Sequence, residues 1–253
     1  MKKKVLAVLL CAAMVMSMTA CGNSSTEEPA ETADTTEAAD DSTEAADEST
    51  DTAAAGGDFK IGLVTDVGGV NDGSFNQSAW EGLQRAAEEF GIEANYLESS
   101  TDADYTPNLE TFIDEEYDLI ISVGYMLADA TRAAAEANPD VNFAIIDDAT
   151  IELDNVTCLM FEQEQGSYLV GYVAGMMTET DNVGFVIGMS NENMNLFGYG
   201  YCAGVLDANP DATIQQFNAN SFADSATGKS MANTAITNRA DIVFHAAGAT
   251  GLG

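Results

Sequence analysis

Apolar runs and helical stripes alternate from Phe59 to the last residue, separated by loops of small and polar residues. FKIGLVT reads as a buried strand. FNQSAWEGLQRAAEEF, with apolar positions three and four apart, reads as an amphipathic helix that Gly91 ends. Ser74, with Gln77 three residues on, has the spacing of a capping box at its start. IEANYLES is the next strand and PNLETFIDEE the next helix, with Pro107 in its first turn. DLIISVG, MLADATRAAAEAN and NFAIID follow as strand, helix and strand; NVTCLMF is strand-like and EQGSYLVGYVAGMMTE helical. The cycle restarts with strand NVGFVIG, helix NLFGYGYCAGVLDAN before Pro210, strand TIQQFNA, helix SATGKSMANTAITN and strand DIVFHAA. This alternation predicts parallel sheets with right-handed crossovers, in two α/β units spanning 59–163 and 164–253. The second unit has only three strands before GATGLG, where a covering helix is expected. An incomplete chain, with part of that sheet unprotected, is the expectation.

The first twenty residues depart from this pattern. Lys2, Lys3 and Lys4 precede an apolar run from Val5 to Met18 that is short for a membrane span, which is the layout of a signal peptide. Thr19 and Ala20 then lead into Cys21, an arrangement similar to a bacterial lipobox, with Met18 where Leu is usual. Lipidation of Cys21 would make it the mature N-terminus and anchor the chain on the outer face of the cell membrane. Residues 22–58 hold twelve acids, no Lys or Arg and no aromatic residue. A stretch of this kind buries too little to order itself and is expected to act as an extended acidic tether, so 21–58 is assigned to linker.

Charge narrows the partners. From Phe59 onward there are thirty acids against five basic residues, a balance of −25 that repels nucleic acid and offers no basic patch to overcome the repulsion. Cys158 and Cys202 could pair, but their sequence positions do not decide it, and neither has metal-ligand spacing. No metal or cofactor is expected. The single His245 lies in an apolar strand pattern with no Cys or other His beside it.

In open parallel sheets, ligands sit beyond the carboxyl ends of the strands, which directs attention to the loops after each strand. The first, TDVGGVNDGSFNQSAW, is rich in Gly but lacks both G-x-G-x-x-G and a following Lys-Ser/Thr. Asp66 and Asp72 would oppose a phosphate and suit neutral donors instead, such as sugar hydroxyls or ring N–H groups. Phe75 adds a flat apolar face, so the loop has the makings of a site for a sugar, a base, or both joined. The same residues also suit another role, with Asp72 and Ser74 capping the helix and Phe75 packed in the core. Asp147 ends its strand at the same edge, and Phe197 and Phe222 lie beyond strand ends of the second unit. No G-x-S-x-G elbow and no D-x-D-x-x-x-D-D cluster is present. A carboxylate pair such as Asp66 with Asp147 could serve glycoside chemistry, but no catalytic residue is assigned.

Taken together, GGVNDGSFNQSAWEGL, VGYMLADA, FAIID, GSYLVGYVAGMMT, VGFVIGM and IVFHAAGATGLG resemble the basic membrane protein family of lipoproteins, the purine nucleoside receptor type. The resemblance covers Phe59 to Gly253. It implies a type I periplasmic-binding fold, in which two Rossmann-like lobes trap a ligand across a hinge. It also implies an ABC transporter substrate-binding lipoprotein that delivers purine nucleosides such as guanosine, adenosine or inosine to permease subunits. On this chain it places Phe75, from the S-F-N-Q motif, at the base, with Asp66 and Asp147 as carboxylates; Asp72 and Asn76 of the same stretch are further candidate ligand residues. Phe197 is the second stacking aromatic, and Gly248 and Thr250, within Ala247 to Gly251, line the ribose. Gly73 and Leu196 stand where the family often has basic residues, and members continue well past this chain's end, with a further aspartate. A sugar or autoinducer receptor of the same fold is the alternative, and a surface nucleosidase a more distant one.

Overall fold

The computed structural model describes residues 58–253. The expected signal peptide (1–20), the lipidation site Cys21 and nearly all of the linker lie outside the described residues.

The first lobe is a five-stranded parallel sheet in the order β2-β1-β3-β4-β5, formed by β1 (Lys60–Val64), β2 (Glu93–Leu97), β3 (Leu119–Val123), β4 (Asn142–Ile146) and β5 (Val156–Leu159). Helices α1 (Phe75–Phe90), α2 (Tyr105–Asp114) and α3 (Ala128–Ala137) connect its strands. The central strands KIGLV and LIISV are almost continuously apolar because helices cover both of their faces. The edge strand EANYL leaves Glu93, Asn95 and Tyr96 exposed.

The chain crosses to the second lobe between β5 and α4 (Gln163–Met177). There β6 (Asn182–Ile187), β7 (Thr213–Asn218) and β8 (Ile242–Ala246) form a parallel sheet in the order β7-β6-β8. Its helices are α5 (Glu192–Ala208) and α6 (Ser225–Thr237). Phe185, Tyr201 and Phe244 stack in its core, with ring centroids 5.1–5.7 Å apart. GATGLG is a 3-10 turn over Gly248–Leu252.

Helices α4 and α5 meet backbone to backbone. A Cβ on Gly171 or Gly175 would land on the carbonyls of Tyr201 or Val205, and one on Gly200 or Gly204 on those of Glu164 or Tyr168. Away from α5, α4 exposes Leu169, Val173, Met176 and Met177.

Local capping departs from expectation in one place. Ser74 is the N-cap residue of α1, but its side chain makes no capping bond, and the Ser74–Gln77 box does not form. Asp72 does the capping: Oδ1 accepts from the amides of Ser74 (2.9 Å) and Gln77 (3.1 Å), and Oδ2 from that of Asn76 (2.9 Å). The Gln77 side chain turns outward to Glu81. A carboxylate reaches several amides of a helix start and also opposes its positive end, which a hydroxyl cannot do. At the other end, Gly91 takes a left-handed φ of 65° and stops the helix as its position predicts.

Candidate functional site

Each sheet changes winding direction once: the first between β1 and β3, the second between β6 and β8. Loops diverge at these points and leave a crevice beyond the strand ends. The two crevices share a cleft of about 470 Å³, within the ~300–1,000 Å³ usual for small-molecule sites. Asp66, Asp72, Phe75 and Asn76 line it from the loop after β1, Tyr125 and Met126 from the loop after β3, and Asp147 from the loop after β4. The second lobe contributes Met194, Phe197, Phe222, His245 and Gly248, and the crossing contributes Phe161.

The loop after β1 is held by its own carboxylates. Asp66, only 5% exposed, accepts from the amide of Gly68 (2.8 Å) and from Asn76 Nδ2 (2.7 Å), both at Oδ1. Asn76 Nδ2 also reaches Asp72 Oδ2 (3.1 Å), while its Oδ1 accepts from the Asp66 amide (3.1 Å). The Asn76 amide therefore bridges the two acids, which lets both sit buried within one loop. Burial raises the Asp66 carboxyl above its ordinary value and the nearby Asp72 charge adds to this, while the bonds from Gly68 and Asn76 pull it back. Among the described residues, nothing donates to Asp66 Oδ2. A Cβ on Gly124 would stand 3.6 Å from that oxygen and 3.2 Å from Phe75 Cε1, so the glycine keeps the space beside both open.

Asp147 is the second carboxylate with unused capacity. Its backbone is left-handed, at φ 62°, and its amide donates to Leu159 O (2.9 Å). No described residue hydrogen-bonds its carboxyl, and burial pushes that carboxyl up to about 6. A strained backbone and an unpaired, half-buried acid in one residue are a combination concentrated at ligand sites.

Aromatic rings wall the space. Phe75 packs on Ile61, Leu63, Leu83 and Val123 while also lining the cleft, so its core role and its ligand-facing role coexist. Phe197 and Phe222 both pack on the second lobe's core and both line the cleft. Tyr125, from the first lobe, packs on the same core and meets Phe222 edge-on, with centroids 6.4 Å apart. Burial raises the Tyr125 phenol, with the Asp66 charge contributing and the Asn191 side chain opposing.

Two expectations change here. Thr250 does not line the cleft. It is fully buried, its hydroxyl accepting from the Asp224 amide (2.9 Å) and donating to Ser221 O (2.9 Å), and so it anchors the loop that carries Phe222. Asp72 and Asn76 border the cleft, but their polar atoms serve the loop itself. Cys158 and Cys202 are free thiols. His245 borders the cleft, and burial lowers its imidazole below the ordinary value. Tyr125, Met126, Phe161 and Met194 had not been singled out as site residues. Tyr125 and Met126 sit in the loop after β3, at the strand-end edge where ligands are expected, but their placement needs the second lobe.

The arrangement also decides what the loop cannot do. The amides of Gly68, Val70, Ser74, Asn76 and Gln77 all donate to side-chain carboxylates. An anion-binding nest needs such amides free. Two open carboxylate positions between aromatic rings suit a flat ligand carrying hydrogen-bond donors. Among the described residues, no group of His, Cys, Asp and Glu is arranged to hold a metal, and no helix is long and apolar enough to cross a membrane.

Over residues 59–253 the chain matches the family described as ABC transporter substrate-binding protein PnrA-like. It is 45% identical over 201 residues to a CD4+ T-cell-stimulating antigen of Listeria monocytogenes, covering 78% of this chain and 56% of that protein. It is 38% identical over 200 residues to the ABC transporter nucleoside-binding protein BmpA of Lactococcus lactis, covering 78% and 57%. Among solved structures, an ABC transporter solute-binding protein from Aeropyrum pernix superposes with a TM-score of 0.70 at 28% identity, over 77% of this chain and 56% of that one. The chain thus spans a little over half the length of the curated relatives it matches.

Proposed function

The chain belongs to the PnrA-like family of ABC transporter substrate-binding proteins, and from that premise we propose that it captures a purine nucleoside in the cleft for delivery to a permease. One observation carries the reading: Asp66 Oδ2 and the Asp147 carboxyl stand open between aromatic walls, while the amides of Gly68, Val70, Ser74, Asn76 and Gln77 are already held by carboxylates. The base lies against Phe75, with Phe197 or Phe222 on the far side. Stacking of a base on an aromatic ring is worth about 1–3 kcal/mol. The carboxylates accept from ribose hydroxyls or ring N–H groups, and a charge-assisted bond of this kind is about twice as strong as a neutral one. Gly248 borders the sugar. Binding needs no catalytic group, so Asp66 and Asp147 act as acceptors and no reaction is assigned to them.

A phosphate on the ligand meets carboxylates, and five amides of the loop and helix start are already bonded to them. Calorimetry with guanosine, adenosine and their monophosphates tests this directly. Nucleosides should bind far more tightly, and equal affinity for nucleoside and monophosphate would sink the charge argument. Incubation with inosine is the companion control, since release of hypoxanthine and ribose would make the chain a nucleosidase. Lipidation at Cys21 and attachment to the outer face of the cell membrane complete the proposal. Mass spectrometry of the mature N-terminus, with Cys21→Ala as comparison, decides it.

A further inference from the structure

We propose that Glu98, which lies outside the cleft, is a positioning residue that fixes the ligand-binding loop 66–74 against the sheet. The inference rests on the assignment of that loop to ligand binding. Three carboxylates hold its amides. Asp66 and Asp72 belong to the loop and move with it, accepting from Gly68 and from Ser74, Asn76 and Gln77. Glu98 comes from another element, at the end of β2, and its Oε1 accepts from the Val70 amide at 2.7 Å. The acceptor for this amide thus comes from outside both the loop and α1.

The anchor is itself held. Asn108 Nδ2, on α2, donates to Glu98 O and Ser99 Oγ, both at 3.1 Å, and the Ser99 amide donates to Thr65 Oγ1 at 3.3 Å. The loop is shaped to receive it. Gly69 turns the backbone through a left-handed φ of 69°, and a Cβ there would stand 3.1 Å from Glu98 Oε1. Without Glu98 the loop keeps its internal bonds but loses its tie to β2. Asp66 Oδ2 and Phe75, which sit at its two ends, then lose their fixed spacing from Asp147 just after β4, and ligand affinity depends on that spacing.

The test uses the full chain with Glu98→Ala and Glu98→Gln. Guanosine affinity is measured by calorimetry, and hydrogen exchange is followed at the Val70 amide. Glu98→Ala should bind about tenfold more weakly, the size of one lost hydrogen bond at the upper end of the usual range, and exchange faster at Val70. Glu98→Gln presents the same acceptor without the charge and should stay within about twofold of wild type in both readouts. Wild-type affinity and exchange in Glu98→Ala would overturn the proposal. So would a Gln variant as impaired as the Ala variant, because charge rather than the bond would then be responsible. If wild-type protein binds no nucleoside, the function proposed above fails. The exchange measurement still decides the role of Glu98: slow Val70 exchange lost in Ala and restored in Gln supports it, and identical exchange in all three overturns it.

Discussion

Replacing Asp147 with Asn should make the protein more stable while disabling it. Its carboxyl is pushed from an ordinary 3.8 up to about 6 by burial, with no hydrogen bond to compensate. At roughly 1.4 kcal/mol per pH unit, this corresponds to a cost of about 3 kcal/mol for holding the ionised form. The group borders an open cleft, so solvent screening reduces the cost to about 1–2 kcal/mol. A carboxyl raised in the folded state contributes most below its ordinary value, and that contribution is lost as pH rises through about 6. Asn has the same shape without the charge, and it tolerates the left-handed φ of 62° as well as Asp does. Urea unfolding from pH 4 to pH 7.5 should therefore show the two proteins converging near pH 4. The variant should gain about 1–2 kcal/mol by neutral pH, with most of the change between pH 4 and 6. His245, lowered by burial, has the opposite pH dependence, but it is present in both proteins and cancels in the difference. A gap that does not change with pH, or a destabilised variant, would refute the reasoning. Nucleoside binding to the variant should be severely weakened, because the charge is lost and one of the two acceptor oxygens becomes an NH2 donor facing the ligand's own donors.

Other outcomes follow from the same geometry. Nucleoside affinity should fall about tenfold between pH 7 and pH 5 as Asp147 takes up its proton, and a flat calorimetric profile would remove Asp147 from the ligand. Phe75→Leu should keep the core packed and the melting temperature close to wild type while weakening nucleoside binding by about 1–3 kcal/mol. Gly204→Ala should destabilise by about 3 kcal/mol, because the new methyl lands on the Tyr168 carbonyl. Gly82→Ala, in α1 with nothing within 4 Å of the new methyl, should stabilise by about 0.5–1 kcal/mol, and paired denaturation curves check both.

The legible part of the fold was the part encoded within a few residues. Helix α1 runs over FNQSAWEGLQRAAEEF as its periodicity predicts, because its apolar stripe and the Gly91 stop are local signals. The capping of α1 differs from the expected box because a capping box is a spacing rule, and Asp72 reaches the helix-start amides from two residues before Ser74. Asp66, Phe75, Asp147, Phe197 and Gly248 could be placed at the cleft because strand ends in a parallel sheet share one edge. Thr250 was misplaced for a related reason: a Gly-rich segment marks close backbone approach, but not whether it approaches a ligand or another loop. Here it approaches α6 and the loop before it, where a Cβ on Gly228 would land on Thr250 O. Phe161 carries no local signal, and Tyr125 only that of a strand-end loop. Their roles come from a facing lobe whose distance is set by tertiary packing.

The contact between α4 and α5 also bears on how such proteins diverge. Carbonyls fill the places where side chains at Gly171, Gly175, Gly200 and Gly204 would go, so none of these positions has a tolerable substitute of any size or polarity. None of the four lines the cleft. Ligand preference can therefore change by exchange at Phe197 or Phe222 while the helix pair stays locked in composition. Across relatives that recognise different small molecules, the four glycines should persist where the aromatic walls vary, which makes them a marker of shared ancestry that is blind to diet.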